Sequence, residues 1–111
     1  MARPDAVVAE IVAASGVAAA YYDNLQERVA CERIVECAFD RFGRLDALIH
    51  NAGLVIFAEL EGAKPAVWYR MTAIGIDAPF NLVHAAIPHM KRANYSRIVL
   101  TTSGRAMRVE D

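Results

Sequence analysis

Apolar residues along this chain fall into two alternating patterns. Three short apolar runs bounded by turn residues are typical of buried strands, and three longer segments with apolar residues every three or four positions are typical of helices. The predicted elements are a helix between Pro4 and Gly16, strand 17–22, a helix between Asn24 and Gly43, strand 45–50, helix 65–91 and strand 97–102. The order α-β-α-β-α-β predicts an α/β fold, with a parallel sheet of about three strands and helices on its faces.

Residues that start or stop helices set the predicted boundaries. Pro4 and Pro65 suit the first turn of a helix, where the missing N–H of proline leaves no hydrogen bond unmade. Asn24 is expected to cap the second helix, and Gly43 is expected to end it. Helix 65–91 is apolar nearly all round, which predicts that it is buried on more than one side.

Length and composition limit the class of protein. A chain of 111 residues suits a single domain. Hydrophobic residues make up 56% of it, which excludes an intrinsically disordered chain and suggests more apolar surface than so small a protein can bury alone. Twelve basic and 13 acidic residues give a net charge of −1, so we expect no nucleic-acid partner and no anionic membrane surface.

Targeting and cysteine signals point to the cytoplasm. The N-terminal residues lack the basic start and unbroken apolar run of a signal peptide, and residues 71–90 carry too many polar residues and prolines for a membrane span. Cys31 and Cys37 are six positions apart in a helical pattern, so they point to different faces and are not expected to pair. A cytoplasmic protein with two reduced thiols is therefore expected.

Polar residues follow each of the three predicted strands. In a parallel α/β sheet the carboxyl ends of the strands form the edge where ligands bind. The short sequences at that edge are Asp23-Asn24, His50-Asn51-Ala52-Gly53 and Thr101-Thr102-Ser103-Gly104. They predict a crevice for a small polar ligand without specifying which one. Asp23 is also open to interpretation as a helix cap, and Ser103 as a turn residue.

Residues 42–53, read as Phe-Gly-Arg-Leu-Asp-Ala-Leu-Ile-His-Asn-Ala-Gly, resemble the middle of a short-chain dehydrogenase/reductase. That family usually has Asn-Asn-Ala-Gly at this strand end. Residues 87–90 and 97–99, with Ser103, resemble the family's long helix and the strand after it. Tyr22-Asp23 followed by Phe42-Gly43-Arg44 is most similar to the dehydrogenase module of peroxisomal multifunctional enzymes of β-oxidation.

The resemblance implies a partial Rossmann-like fold and NAD or NADP as the cofactor of the parent family. By position, Asp23 matches the acidic residue at the adenine pocket, and Asn51 matches the asparagine that braces the sheet. Ala52 and Gly53 match residues that line the cofactor ribose, and Ser103 matches the serine that hydrogen-bonds the substrate. The parent substrate suggested by the resemblance is a hydroxyacyl thioester, but nothing in this sequence identifies the substrate.

Two departures from the family pattern limit what the chain is expected to do. No Gly-x-x-x-Gly-x-Gly turn is present, because no two of the six glycines lie within eight residues of each other. No tyrosine is followed four residues later by a lysine, so the pair that would exchange the proton is absent. His50 stands in place of the first Asn of the family's Asn-Asn-Ala-Gly sequence, and it is expected only to reshape the turn. We therefore expect residues 1–111 to be one truncated Rossmann-like domain that binds no cofactor alone, with Ser103 as a vestigial catalytic residue.

The retained strands correspond to the third, fourth and fifth of the order 3-2-1-4-5-6. Since the two strands between the third and fourth are missing, either strand 17–22 moves to pair with strand 45–50 or another copy covers the open edges. Family members dimerise through the helix that 65–91 resembles, so a homo-oligomer through this helix is expected.

Three functions stay open at this point. The chain is an NAD(P)-dependent oxidoreductase that is inactive alone, a non-enzymatic homo-oligomeric interaction module derived from that fold, or a fragment with no separate function. A metal site is not expected, because His84 and His89 lack the His-Glu-x-x-His spacing.

Overall fold

The computed structural model describes residues 3–53 and 58–102. The elements in chain order are helix α1 (Pro4–Ala13), helix α2 (Arg28–Phe42), strand β1 (Ala47–His50), a 3-10 turn (Leu60–Gly62), helix α3 (Pro65–Thr72), a π-helical turn (Ala73–Asp77), helix α4 (Ala78–Ala93) and strand β2 (Arg97–Leu100). The mixed α/β architecture expected from the sequence is confirmed, and all three expected helical segments are present.

The sheet has two strands in the described residues. β1 and β2 pair in parallel, with Ala47 opposite Arg97 and His50 opposite Leu100. Parallel strands need a long crossover, and α3, the π-helical turn and α4 provide it. The carboxyl ends of both strands therefore lie side by side at one edge of the sheet.

The predicted strand 17–22 is wrong. These residues form no helix or strand, and among the described residues no backbone hydrogen bond joins them to a neighbouring segment. Val17 and Tyr22 are 81% and 64% exposed, and residues 18–21 are only half-buried, so the run is not a buried strand. A strand exists only when it has a partner for its N–H and C=O groups. Of the two alternatives left open by the sequence, pairing with strand 45–50 does not form.

Helix α2 begins later than the sequence predicts. Its N-cap is Glu27 rather than Asn24, because Asn24 forms a turn of its own in which its Oδ1 accepts a hydrogen bond from the N–H of Gln26. This local alternative to capping is common for asparagine. The expected end at Gly43 is confirmed: this residue has a φ of 72°, the left-handed conformation that glycine adopts with little strain.

The core is the contact between α2 and α4. Cys31 and Val35 from α2 pack against a row from α4 whose members are four residues apart: Ala78, Leu82, Ala86 and Met90. The two alanines let the helix backbones approach, while each large apolar side chain contributes about 1.5–3 kcal/mol by leaving water. Leu45 and Leu48 of the β1 region pack on this core from the sheet side, which fixes the sheet on the two helices.

Two cysteines lie in or beside this core as free thiols. The Sγ of Cys31 donates to the carbonyl of Leu25 at 3.4 Å, and burial raises the pKa of the Cys31 thiol. A buried protonated thiol is a poor nucleophile, so Cys31 serves packing. Within the described part of the chain, none of the helices combines the length and apolar character needed to span a lipid bilayer.

Candidate functional site

The ends of β1 and β2 form one continuous edge. The N–H of Thr101 donates to the carbonyl of His50 at 3.0 Å, so the residues after the two strands start as neighbours. Asn51, Ala52 and Gly53 follow β1 and are exposed, and Thr101 and Thr102 follow β2 and are exposed. The edge that the sequence predicts from two of its three strands is therefore present, while Ser103 and Gly104 lie outside the described residues.

Asp23 sits apart from this edge, in a cluster of its own. Its carboxylate accepts hydrogen bonds from the backbone N–H of Asn24 at 2.8 Å, from the Tyr21 hydroxyl at 3.1 Å and from Arg33 at 2.9 Å. Its side chain is 23% exposed. Asp23 does not cap α2, whose first turn has no side-chain cap, and none of its polar contacts reaches Asn51, Ala52 or Gly53.

These contacts shift the pKa values of the two acids in the cluster, the Asp23 carboxyl and the Tyr21 phenol. The Asn24 N–H, and after it the Tyr21 hydroxyl and the Arg33 guanidinium, stabilise the charged carboxylate and lower the pKa of Asp23. The loss of surrounding water raises the pKa of the Tyr21 phenol, and the neighbouring Asp23 carboxylate raises it further. Near neutral pH the cluster therefore holds a charged carboxylate, a neutral phenol and a guanidinium.

A small apolar cavity lies beside the strand edge. Its volume is about 270 Å³, and it lies between α2, β1 and α4. Its walls include Leu25, two residues beyond Asp23, and both Asn51 and Ala52. Apart from His50 and Asn51 the lining side chains are apolar, so the cavity suits a hydrophobic side chain or an apolar ring rather than a phosphate.

Sequence reasoning missed three residues that shape the candidate site. The side chains of Tyr21 and Arg33 hold the Asp23 carboxylate. The sequence indicated Arg33 only as a basic residue of the predicted helix, ten positions after Asp23. His50 does more than reshape a turn: the residue is 6% exposed, and its Nε2 lies 3.1 Å from the carbonyl oxygen of Ile74. Pro79, which cannot donate a backbone hydrogen bond, was the available signal for an unsatisfied carbonyl in that helix.

No group of three or more metal-ligating side chains occurs in the described residues. His89 is instead a packing residue between the two core helices. Its ring stacks on Phe39 with 4.6 Å between centroids, its Nε2 lies 3.1 Å from Glu36 and its Nδ1 lies 2.9 Å from Arg92.

The edge offers binding groups rather than a complete reaction centre. Asn51 supplies an amide, the two threonines supply hydroxyls, and Gly53 leaves room beside the backbone: among the described residues, no atom lies within 4 Å of the place a Cβ would occupy. Such an edge can hold the sugar or amide part of a ligand. A proton donor of the tyrosine–lysine kind is not encoded in the 111 residues.

Residues 1–110 match the family described as short chain dehydrogenase. The peroxisomal multifunctional enzyme A of Dictyostelium discoideum is 39% identical over 106 residues, which are 93% of this chain and 23% of that protein. The peroxisomal multifunctional enzyme type 2 of Mus musculus is 36% identical over 99 residues, 89% of this chain and 13% of that protein.

Solved structures of short-chain dehydrogenases share the fold of this chain. A metagenomic short-chain oxidoreductase in complex with NADP superposes with a TM-score of 0.84 at 33% identity, over 91% of this chain and 47% of that one. A short chain dehydrogenase from Burkholderia cenocepacia in complex with NADP gives 0.87 at 30% identity, over 96% and 43%. The chain spans less than half of each of these relatives and structures.

We predict that the carboxyl group of Asp23 titrates below the ordinary aspartate pKa, as followed by carbon NMR of the side chain. Because its pKa is lower in the folded than in the unfolded state, Asp23 stabilises the fold at pH above the unfolded value, and this contribution is lost as the pH falls through the folded value. Asp23→Asn lacks this titrating group. Its unfolding free energy should therefore fall less on acidification than that of the unmodified chain.

Arg33→Gln is the matched control for that titration. It removes the ion pair but keeps the Asn24 N–H, the largest cause of the shift, so the Asp23 carboxyl should still titrate below the ordinary value. A titration midpoint at or above the ordinary value in the unmodified chain would contradict the assigned contacts.

Proposed function

Since the chain belongs to the short chain dehydrogenase family, we propose that it carries the central part of an NAD(P)-dependent oxidoreductase site. Two solved structures that it resembles are complexes with NADP, which supports a nicotinamide dinucleotide as the cofactor without deciding between NAD and NADP. A bound cofactor of this kind would donate or accept the hydride. The residues of this chain would hold and orient it.

The observation that carries the proposal is the shared edge of β1 and β2. The hydrogen bond from Thr101 to His50 aligns the two strand ends, and the residues matched to cofactor binding, Asn51, Ala52 and Gly53, follow one of them. Asn51 would brace the edge, and Ala52 and Gly53 would leave the backbone open to a ribose. By the resemblance, Ser103, three residues beyond β2 in the sequence, would hydrogen-bond the substrate.

Asp23 has a proposed role at the adenine pocket. Its carboxylate is charged and anchored by Asn24, Tyr21 and Arg33, so it is available as a hydrogen-bond acceptor at a fixed place. Leu25 and Asn51 both line the same cavity, which supports Asp23 and the strand edge as parts of one extended site.

We further propose that this chain alone neither binds NAD(P) nor transfers hydride. Backbone N–H groups of a glycine-rich turn normally hold the pyrophosphate, and no such turn occurs in the sequence. The tyrosine–lysine pair that would move the proton is also not encoded.

Because Cys31 and Cys37 are free thiols, a reducing compartment is favoured, and we propose the cytoplasm as the location.

A second candidate function is a homo-oligomeric interaction module. The long helical segment exposes four large apolar side chains, each at least 60% accessible: Trp68, Tyr69, Ile76 and Phe80. Exposed apolar surface of this size on one segment is typical of protein–protein contact. We propose that a second copy of the chain covers it, which also accounts for the 56% hydrophobic composition.

We predict that the isolated chain gives no saturable change in nicotinamide fluorescence when NADH or NADPH is titrated to roughly 1 mM, equivalent to about −4 kcal/mol. Saturable binding below that concentration would contradict the proposed inactivity of the chain alone. It would show that the oligomer rebuilds a cofactor cleft.

We predict that the chain functions as the central segment when it replaces the matching residues of its Dictyostelium discoideum relative. The chimera should retain nicotinamide-dependent oxidoreductase activity. Gly53→Val in the chimera should raise the KM for the cofactor at least about tenfold, equivalent to ~1.4 kcal/mol, because the branched side chain would fill the space beside the backbone. Gly62→Val is the matched control, since its Cβ position is equally open. Equal KM values for the two variants would exclude the proposed role of Gly53.

We predict that the chain self-associates and that Phe80→Glu weakens this association, as measured by sedimentation velocity over a range of concentrations. A buried charge in the contact would be costly, while at this exposed position the variant should still fold. Val12→Glu on α1, also an exposed position, should leave the association unchanged. A monomeric unmodified chain at all concentrations would exclude the interaction module.

A further inference from the structure

The carbonyl of Ile74 has lost its usual partner inside the helix. In the π-helical turn the N–H of Ala78 donates to Ala73, five residues earlier. By the same spacing the donor for Ile74 would be residue 79, which is Pro79 and has no N–H. The α-type donor, Ala78, is already engaged with Ala73, so neither the α nor the π spacing leaves this carbonyl a donor within the helix.

His50 supplies that hydrogen bond. Its ring is buried, and Nε2 lies 3.1 Å from the Ile74 carbonyl oxygen. Because a carbonyl oxygen can only accept, Nε2 must carry the hydrogen, and this fixes the ring nitrogen that is protonated. The backbone of His50 meanwhile accepts from Thr101 at 3.0 Å. One residue therefore joins β1, the residue after β2, and the π-helical turn.

We propose that His50 is a positioning residue, which holds the turn Asn51-Ala52-Gly53 at a fixed place relative to the long helix by donating to the carbonyl that Pro79 leaves free. His50 is the last residue of β1, so the direction of the chain entering this turn depends on where its ring is anchored. The functional part rests on the proposed role of Asn51, Ala52 and Gly53 in cofactor binding. The hydrogen bond itself does not.

The alternative is that the buried ring of His50 only fills space. A double-mutant cycle separates the two roles, since coupling between residues 50 and 79 is expected only if both act on the Ile74 carbonyl. His50→Phe keeps an aromatic ring of similar size and removes the donor. Pro79→Ala restores a backbone N–H at position 79, which lets the helix satisfy the carbonyl by itself in either α or π geometry.

We predict that His50→Phe lowers the folding equilibrium constant at least about fivefold in the unmodified chain, because it leaves the partly buried Ile74 carbonyl without its hydrogen-bond donor. The same change in the Pro79→Ala background should have a clearly smaller effect. His50→Gln, which carries an amide donor, should recover part of the loss. Chemical denaturation of the four variants and the unmodified chain gives these values. Equal effects of His50→Phe in both backgrounds would overturn the proposal.

Nitrogen NMR of the unmodified chain provides a test that needs no variant to fold. The proposal requires the His50 ring to be protonated at Nε2, and a ring protonated only at Nδ1 would overturn it.

A second NMR test uses the variant. In His50→Phe, the amide signals of Asn51 and Gly53 should shift while that of Gly62 should not. Unshifted signals at the turn would overturn the positioning role. None of these measurements uses a cofactor, so they can fail while the proposed function stands, and the reverse also holds.

Discussion

The structure depends on the packing of α2 against α4. Every buried apolar side chain of the described core comes from these two helices, and β1 reaches the core only through Leu48 and the preceding Leu45. A parallel pair of four-residue strands is at best marginally stable by itself in water. The helix pair therefore supplies the stability, and the sheet edge that carries the candidate site is held in place by its contact with that pair.

Within residues 3–53 and 58–102, nothing covers one face of the sheet. Ile49 and Val99 lie opposite each other in the register and are 67% and 51% exposed, whereas parallel sheets are normally covered on both faces. Helix α1 does not cover this face: it buries no residue, and the Tyr22 hydroxyl is hydrogen-bonded to its Asp5. The hydrophobic excess in the composition thus corresponds to particular surfaces, namely this face, segment 17–22 and the exposed side chains of the long helix.

Sequence patterns predicted what depends on neighbours in the chain. Helical periodicity gave the helices, the Gly43 end of α2 was predictable from glycine's preference for positive φ, and residues 42–53 indicated the family that the match over residues 1–110 confirms. Segment 17–22 has the apolar pattern of a strand but no strand beside it, and a local pattern cannot supply that partner. For the same reason the strand-end rule located Asn51, Ala52 and Gly53, while the Arg33 partner of Asp23 was not predictable.

The geometry of His50 shows how a local departure from a family pattern can be compensated at a distance. His50 departs from the Asn-Asn-Ala-Gly pattern at the end of β1, and Pro79 removes a backbone donor from the helix. Each alone would leave a polar group without this partner: the imidazole N–H in one case and the Ile74 carbonyl in the other. Placed 3.1 Å apart, the two groups satisfy each other, so His50 and Pro79 are best understood as parts of one structural feature. That feature ties the strand edge to the same helical segment that carries the exposed apolar side chains.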